Sequence, residues 1–280
     1  MPHTSSPHSN PDPFRDHVSR FFETEYRWWS EVYDTGLPQG FLSFEMRQRR
    51  QLILDLLRSR ITPRDRLLDC GCGPGAMIPG LLPQAKAICA LDLNHGFLQQ
   101  VRQIAPTCVS CVQADVENLP FASASFDILL SIGVLSYLQH DACALAEMAR
   151  ITRPGGLVVI ALPNALRLNF LLDPCYLLKG AWQRGLKKLR NNPQKRAFST
   201  SMIRRYHLRR FLRQARSYGL LEMDTKAVSF GPPTLFGKKW LPLSTSIRLS
   251  EKLRNFSTWT GLRWLSQVGN HWIICLQKTL

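Results

Sequence analysis

Short apolar runs alternate with longer mixed segments through much of the chain. Residues 87–91 and 157–160 are continuous apolar runs next to polar or glycine-rich positions, which is typical of strands buried in a parallel sheet. Residues 220–230 and 271–277 are predicted to form two further strands, with a helix near 245–256 between them. The pattern therefore predicts an α/β fold in which helices and strands alternate around one sheet.

Three carboxylates stand at the ends of predicted strands with equal spacing. Asp69, Asp92 and Asp115 are each 23 residues apart, about the length of one strand–helix unit. Because the carboxyl ends of parallel strands meet at one edge of a sheet, we expect these acids around a single crevice. An acid after the second strand is suited to accept hydrogen bonds from two ribose hydroxyls.

A glycine-rich loop follows the first of these acids. Gly71, Gly73 and Gly75 occupy alternate positions after Asp69, so the backbone is expected to turn sharply and approach a ligand closely. The spacing is G-x-G-x-G rather than the G-x-G-x-x-G of dinucleotide sites. Asp69 would repel a pyrophosphate but would attract a ligand that carries an ammonium group. The loop therefore argues against NAD.

Composition agrees with one large α/β domain plus additions. The chain has 280 residues, 45% of them apolar, which is enough to fill a sizeable core. No apolar run reaches the roughly 20 residues that a membrane-spanning helix needs. Residues 1–13 lack an apolar stretch and are expected to be a disordered tail rather than a secretory leader. Eight cysteines then favour a reducing, cytoplasmic location.

Positive charge is concentrated in one segment. The net charge is +16, and residues 174–221 hold 13 Lys and Arg residues and no Asp or Glu. This segment is predicted to form two basic amphipathic helices, the first over 178–190 and the second over 204–216. The second helix is expected to pack its apolar face on the sheet. The first carries Trp182 and could meet an anionic membrane surface. For Trp240, Trp259 and Trp264, interfacial anchoring and core packing both stay open.

Five ordered segments resemble the class I S-adenosylmethionine (SAM) dependent methyltransferases, of the broad type that includes the quinone-biosynthesis enzymes. The matched segments are the glycine-rich loop at 67–75, the acidic motif at 91–94, the adenine-binding motif at 113–121, the fourth strand at 126–131, and the turn and fifth strand at 150–160. The resemblance covers roughly residues 45–164. It implies a Rossmann-like, doubly wound, seven-stranded, mostly parallel sheet whose last strand is antiparallel.

The same resemblance implies a SAM site, with S-adenosylhomocysteine (SAH) as the product. Asp69 would serve the ammonium group, Asp92 the ribose hydroxyls and Asp115 the adenine amino group. Ser131 and Ile132 would border the sulfonium. The complete set of expected cofactor-binding residues is Asp69, Gly71, Cys72, Gly73, Gly75, Asp92, Leu93, Asp115, Val116, Ser131 and Ile132.

The N-terminal region is crowded with aromatic residues, and related enzymes place a helical lid there. Tyr26, Trp29, Tyr33 and Tyr137 are the candidate substrate contacts, although a helix simply docked on the core is an equal alternative for the N-terminal segment. Arg47, Arg49 and Arg50 are expected to be solvated. The predicted organisation is a disordered tail at 1–13, a lid at 14–45, a SAM-binding core at 46–164, a basic helical cap at 165–218 and the last two strands with an enlarged loop at 219–280.

His140 follows the fourth strand by a few residues and is the candidate general base. The Cys108-x-x-Cys111 pair lacks a second pair of metal ligands at usable spacing, so it is interpreted as buried core cysteine, and no metal site is predicted. Residues 131–134 lack the Pro-Cys and the Asn/Asp-Pro-Pro-aromatic motifs of two kinds of base methyltransferase.

The sequence thus favours methylation of a small, lipophilic or membrane-associated acceptor, with O-methylation preferred and SAM as cofactor. Two alternatives stay open: an RNA or other nucleic-acid methyltransferase, which the basic segment motivates, and a SAM-binding regulatory protein without turnover. The expected location is the cytoplasm, with peripheral attachment through 174–221 to the inner face of a membrane.

Overall fold

The computed structural model of the protein describes residues 18, 20–24, 29, 31–33, 40–85, 87–174, 203–236, 238–259 and 262–280. The predicted first basic helix, Trp182 and Tyr26 lie outside these residues.

A seven-stranded sheet forms the centre of the fold. The described strands are β1 (Arg66–Cys70), β2 (Ala87–Asp92), β3 (Val109–Gln113), β4 (Phe126–Ile132), β5 (Thr152–Pro163), β6 (Leu220–Ala227), β7 (Thr234–Leu235), β8 (Lys238–Lys239) and β9 (His271–Lys278). The strand order in the sheet is β3-β2-β1-β4-β5-β9-β6. Its five N-terminal strands pair in parallel, whereas β9 runs antiparallel to both β5 and β6. The predicted sheet with a reversed last strand is therefore confirmed. A separate two-stranded hairpin consists of β7 and β8.

Apolar side chains fill the space on both faces of the sheet, as alternation along each strand requires. Leu68, Leu129 and Ile160 face one layer of helices, and their neighbours Leu67 and Leu130 face the other. The helices are α1 (Phe41–Arg58), α2 (Ile78–Leu81), α3 (His95–Ile104), α4 (Asp141–Ile151), α5 (Leu168–Leu172), α6 (Leu208–Ser217), α7 (Leu243–Ser257) and α8 (Arg263–Ser266). The fold is thus doubly wound.

The predicted second basic helix is α6, and its apolar side packs on the sheet. Phe211 and Ala215 are buried in the same cluster as Leu220 and Leu276. The arginines of this helix are exposed, namely Arg209, Arg210, Arg213 and Arg216. Its apolar face is therefore already covered by the protein.

Large aromatic side chains are exposed between β6 and β9. Trp240, Trp259 and Trp264 are 62%, 66% and 57% exposed, so the core-packing interpretation of these residues is wrong. The predicted helix near 245–256 is present as α7. Within the described ranges, no helix combines the length and the apolar character that crossing a bilayer requires.

Candidate functional site

The carboxyl ends of β1, β2 and β4 open onto one cavity of about 620 Å³, which is the usual ligand position in a doubly wound sheet. Because β9 is antiparallel, its first residue, His271, reaches this same edge and pairs with Pro163 at the end of β5. The cavity therefore receives side chains from both the parallel strands and the reversed strand.

The glycine loop lies against this cavity in a conformation that favours glycine. Gly71 and Gly73 have φ angles of +77° and +51°, a region that side chains with a Cβ rarely adopt. A Cβ at Gly71 would collide with Val134, whereas a Cβ at Gly73 would meet open space. The amide nitrogens of Gly71 and Cys72 donate to the carbonyl of Leu91 at 2.7 and 2.9 Å. The loop is thus fixed to β2 while Gly73 stays accessible.

Gly75 departs from its expected position. A Cβ at Gly75 would lie 2.8 Å from Cγ2 of Val101 on α3, and Gly75 is not among the residues that line the cavity. The expectation that it lies against a ligand is corrected: this glycine allows close packing between the loop and a helix.

Asp69 is a buried acid that faces the cavity. It is 1% exposed, and its Oδ2 has no hydrogen-bond partner among the described residues. Burial, together with repulsion from Asp92, raises the pKa of this carboxyl to about 7. A buried oxygen without a partner is costly for the protein alone. Asp69 is therefore suited to receive a cationic group from a ligand.

Asp92 joins the glycine loop to the start of α3. Its Oδ2 accepts from the amide nitrogen of Gly73 at 2.9 Å, and its Oδ1 accepts from the amide nitrogen of Asn94 at 2.8 Å. Burial raises the pKa of Asp92, and these hydrogen bonds counteract part of that effect. Leu93 lines the cavity beside it. Asn94 caps α3 by accepting from the amide nitrogen of Phe97.

Asp115 and Val116 line the cavity beyond β3. The Oδ1 of Asp115 accepts from the amide nitrogen of Glu117 at 2.9 Å, which fixes the turn that presents both residues. The three evenly spaced acids of the sequence therefore do meet at one crevice.

Only one of the two residues expected to border the sulfonium at the end of β4 lines the cavity. Ile132 lines the cavity, but Ser131 is fully buried, its Oγ has no partner among the described residues, and it does not line the cavity. Because successive side chains of a strand point to opposite faces, the strand cannot present both. Gly133 and Val134 line the cavity instead of Ser131.

Aromatic rings cover the cavity from the N-terminal side. Three of the four candidate substrate contacts line the cavity, namely Trp29, Tyr33 and Tyr137. The ring centroids of Phe22 and Tyr137 are 5.0 Å apart, and those of Phe22 and Trp29 are 5.9 Å apart. The described aromatic residues of the N-terminal region thus lie over the carboxyl edge of the sheet.

His140 is not brought to the site. It is exposed at the N-cap position of α4 and is not among the residues that line the cavity. Gln139 is the last residue before α4 that lines the cavity. The expectation that it borders the acceptor pocket is therefore corrected, because the turn before α4 directs the chain away from the crevice.

Several polar residues at the site were missed by sequence reasoning, and four of them are grouped at one end of the cavity wall formed by α1, β5 and β9. Glu45 and Arg49 come from the first half of α1, Arg167 follows β5, and His271 begins β9, and all four line the cavity. Arg49 is 6% exposed, so the expectation that it is solvated was wrong. One signal was available in the sequence: a predicted antiparallel last strand that begins with His271 must start at the ligand edge.

Glu45 and His271 form a buried pair at 3.0 Å between Oε1 and Nδ1. Ser229 donates a hydrogen bond to the same oxygen of Glu45. Burial alone would raise the pKa of Glu45, but its interactions with His271 and Ser229 outweigh burial and hold the pKa well below its usual range. Burial lowers the pKa of His271, and Arg167 and Arg49 act in the same direction, while Glu45 opposes them.

The cysteine pair near β3 also differs from its interpretation as core. Cys108 is exposed and precedes β3, and Cys111 is only half-buried. Among the described residues, no group of three or more His, Cys, Asp or Glu side chains is placed to hold a metal ion.

The strand order with its reversed last strand is the fold of the class I SAM-dependent methyltransferases. Residues 68–160 match the family model described as a methyltransferase domain. The magnesium protoporphyrin IX methyltransferase of Synechocystis PCC 6803, solved with bound SAH, superposes with a TM-score of 0.62 at 11% identity, over 95% of this chain and 100% of that chain.

Two curated relatives each match somewhat less than half of the chain. The malonyl-[acyl-carrier protein] O-methyltransferase of Serratia marcescens is 35% identical over 121 residues, which is 43% of this chain and 44% of the relative. The demethylmenaquinone methyltransferase of Beutenbergia cavernae is 34% identical over 127 residues, 45% of this chain and 51% of the relative. The matches thus span about half the length of these relatives.

Proposed function

We propose that the protein is a SAM-dependent methyltransferase that acts on a small, largely apolar acceptor, with oxygen as the favoured methylated atom. One observation carries the cofactor assignment: the buried Oδ2 of Asp69 has no hydrogen-bond partner within the described part of the chain, and Asp69 lines the cavity beside the glycine loop. An ammonium group would satisfy that oxygen. A pyrophosphate would instead bring like charges together.

The chain's own residues fit SAM along the length of the crevice. Asp69 would hold the ammonium group, Asp92 and Leu93 the ribose, and Asp115 and Val116 the adenine. Gly71, Cys72 and Gly73 would lie along the amino-acid portion, with Ile132 near the sulfonium. When bound, SAM supplies an electrophilic methyl group. The protein's task is then to align the acceptor with that group and to exclude water.

The acceptor is proposed to lie between the end of β4 and the aromatic cover. Trp29, Tyr33 and Tyr137 offer flat apolar surfaces, and the contact of Phe22 with Tyr137 supports a lid that closes over both ligands. Arg49 and Arg167 line the same region, so an acidic group on the acceptor would be bound well. One curated relative is named an O-methyltransferase, which supports oxygen as the site of methylation.

Titration of the whole protein with SAH by calorimetry tests the cofactor assignment. The expected result is one site in the wild type and loss of measurable binding in Asp69→Ala. Methyl-labelled SAM, incubated with the protein and a small-molecule extract, then tests transfer, and a labelled product soluble in organic solvent is expected. SAH binding without any labelled product would identify a binding protein without turnover. Absence of SAH binding in the wild type would refute the proposal.

We also propose that the 174–221 segment contacts an anionic membrane surface. Arg209, Arg210, Arg213 and Arg216 are exposed on the described part of this segment, and each arginine near anionic headgroups is worth about 1 kcal/mol. Because the apolar face of α6 is covered, its contribution would be electrostatic rather than insertion. The exposed Trp240, Trp259 and Trp264 support an additional interfacial contact.

Vesicle co-sedimentation tests this attachment. The protein should bind phosphatidylglycerol vesicles but not phosphatidylcholine vesicles. A variant in which Arg209, Arg210, Arg213 and Arg216 are all replaced by glutamine should bind on the order of 1,000-fold more weakly. Equal binding to both vesicle types, or no effect of the four substitutions, would contradict a role for this helix.

A further inference from the structure

Among the described residues that line the cavity, His271 is the one histidine, and its hydrogen bond to Glu45 suits it to accept a proton. His271 is buried at the start of β9, with a side chain that is 14% exposed, and it lines the cavity. Its Nδ1 is engaged by Glu45 at 3.0 Å, while its Nε2 has no hydrogen-bond partner among the described residues. The ring is therefore held at one nitrogen and available at the other.

The hydrogen-bond partners determine which nitrogen carries the proton. Ser229 donates to Oε1 of Glu45, and an ionised carboxylate can only accept. The Nδ1 of His271 must then donate to Glu45, and in the neutral ring Nε2 keeps its lone pair. The described charged groups that face His271 are Glu45 and Arg49 from α1 and Arg167 from the segment after β5.

We propose, resting on the function above, that His271 is the general base that takes the proton of an acceptor hydroxyl through Nε2, and that Glu45 is its positioning residue. The acceptor's O–H bond breaks, its proton binds Nε2, and its oxygen forms the new bond to the methyl carbon. The electron pair of the broken sulfur–methyl bond stays on sulfur, which becomes neutral. The positive charge is then on the imidazolium, which Glu45 stabilises, as an acid does in other acid–histidine pairs.

An acceptor that needs His271 as its base carries a weakly acidic hydroxyl group, as a phenol does. A carboxylate is ionised at neutral pH and needs no base. An acceptor that is already ionised therefore provides an internal control, because its methylation should not depend on His271.

Nuclear magnetic resonance of the imidazole nitrogens tests the state of the base without any turnover. In the SAH-bound whole protein labelled with ¹⁵N-histidine, the signals absent from His271→Asn belong to His271. At pH 7.5 they should report a neutral ring with the proton on Nδ1, and Glu45→Gln should abolish that tautomer preference. A proton on Nε2, or a fully protonated ring, would overturn the proposal.

Transfer from methyl-labelled SAM to two probes tests the chemistry at pH 8. Phenol is mostly protonated at this pH, whereas 4-nitrophenol is largely ionised. His271→Asn keeps an amide that can donate to Glu45 but removes Nε2, so transfer to phenol should fall about 100-fold or more, and transfer to 4-nitrophenol should change less than about threefold. Equal losses with both probes would indicate a merely structural role and overturn the proposal.

Two controls separate this inference from the function on which it rests. SAH affinity measured by calorimetry should be unchanged in His271→Asn; if the wild type binds no SAH, the cofactor assignment has failed rather than the base. His207→Asn is the matched variant, because His207 is exposed at the N-cap of α6, a position that asparagine favours. It should retain transfer to both probes.

Discussion

The side chain of Asp92 accepts a hydrogen bond from the amide nitrogen of Gly73 at 2.9 Å. The acid at the end of β2 therefore shapes the glycine loop that follows β1, in addition to facing the cavity. Because Asp92 also accepts from the amide nitrogen of Asn94, one carboxylate fixes both the loop and the start of α3. Replacing Asp92 should therefore weaken ligand binding more than replacing a residue that only contacts the ligand.

Asp92→Ala is expected to loosen the loop as well as to remove a ribose contact. A hydrogen bond to a charged group contributes about 1.5–3 kcal/mol, so SAH affinity should fall on the order of 10- to 100-fold. Hydrogen exchange at the Gly73 amide should accelerate at the same time. Unchanged exchange at Gly73 together with reduced affinity would contradict the structural half of this prediction.

Gly73→Ala should weaken SAH binding, although it should lower the free energy of unfolding no more than Gly155→Ala, a substitution far from the cavity. Gly73 and Gly155 both have positive φ and open space where a Cβ would stand, so each alanine should cost about 1–2 kcal/mol of stability. Only Gly73 lines the cavity. Urea unfolding should therefore show similar losses, while calorimetry should show reduced SAH affinity for Gly73→Ala alone. Equal affinity of the two variants would count against ligand contact at Gly73.

The strands and the three acids could be predicted from the sequence because their signals are local. Apolar runs identify strands, and a carboxylate after each run must lie at the shared edge of a parallel sheet. Ser131 and Gly75 were misjudged because a motif match does not specify side-chain direction. Alternation along β4 buries Ser131, and packing against Val101 accounts for Gly75.

The contact between Glu45 and His271 could not be predicted from the local pattern of apolar and polar residues. The two residues are separated by 226 positions, and each is an isolated polar residue near the end of an element. Their proximity depends on how α1 packs beside β9, and that packing is decided by the whole core. Arg49 was judged solvated for the same reason, since its burial depends on the cover over the cavity.

Asp69→Asn is expected to stabilise the ligand-free protein at alkaline pH. The pKa of Asp69 is about 7 in the folded state and near 4 in an unfolded chain, so the folded state holds this proton more tightly. The stabilisation is complete below pH 4 and is lost as the pH rises towards 7. At pH 8 the asparagine variant should be more stable than the wild type by on the order of 1–4 kcal/mol.

Urea unfolding at pH 4 and pH 8 measures this difference, which should be close to zero at the lower pH. The same variant should lose SAH affinity, because an amide cannot neutralise an ammonium group. A lower stability of the variant at pH 8 would show that the buried carboxylate has a partner in solution.

The affinity for SAH is expected to rise with pH between about 5.5 and 7. Below the pKa of Asp69 the carboxyl is protonated in the free protein, and it must lose that proton to pair with the ligand's ammonium group. Affinity should therefore change by roughly tenfold per pH unit below 7 and level off above it. Calorimetry across this range, in buffers with different ionisation enthalpies, should also detect release of close to one proton. The Asp69→Asn variant should show neither effect.

Arg150 holds the loop at the end of the adenine-binding motif, residues 113–121, and its replacement by lysine tests that role. Its guanidinium donates to the carbonyls of Phe121 and Leu119 at 2.7 and 3.1 Å and pairs with Glu147 at 2.7 Å. Glu147 in turn accepts from the amide nitrogen of Leu119 at 2.9 Å. A lysine ammonium cannot span these partners, so the loop should open more often and SAH affinity should fall about 3- to 10-fold.

The matched variant is Arg153→Lys, since Arg153 pairs with Asp127 at the opposite, amino end of β4. Faster hydrogen exchange at Leu119 should accompany the affinity loss in Arg150→Lys and be absent in Arg153→Lys. If both variants lost affinity equally, the effect would be general destabilisation rather than control of the loop. A selective loss would mean that the position of Val116 against a ligand depends on the contacts that Arg150 and Glu147 of α4 make with Leu119 and Phe121.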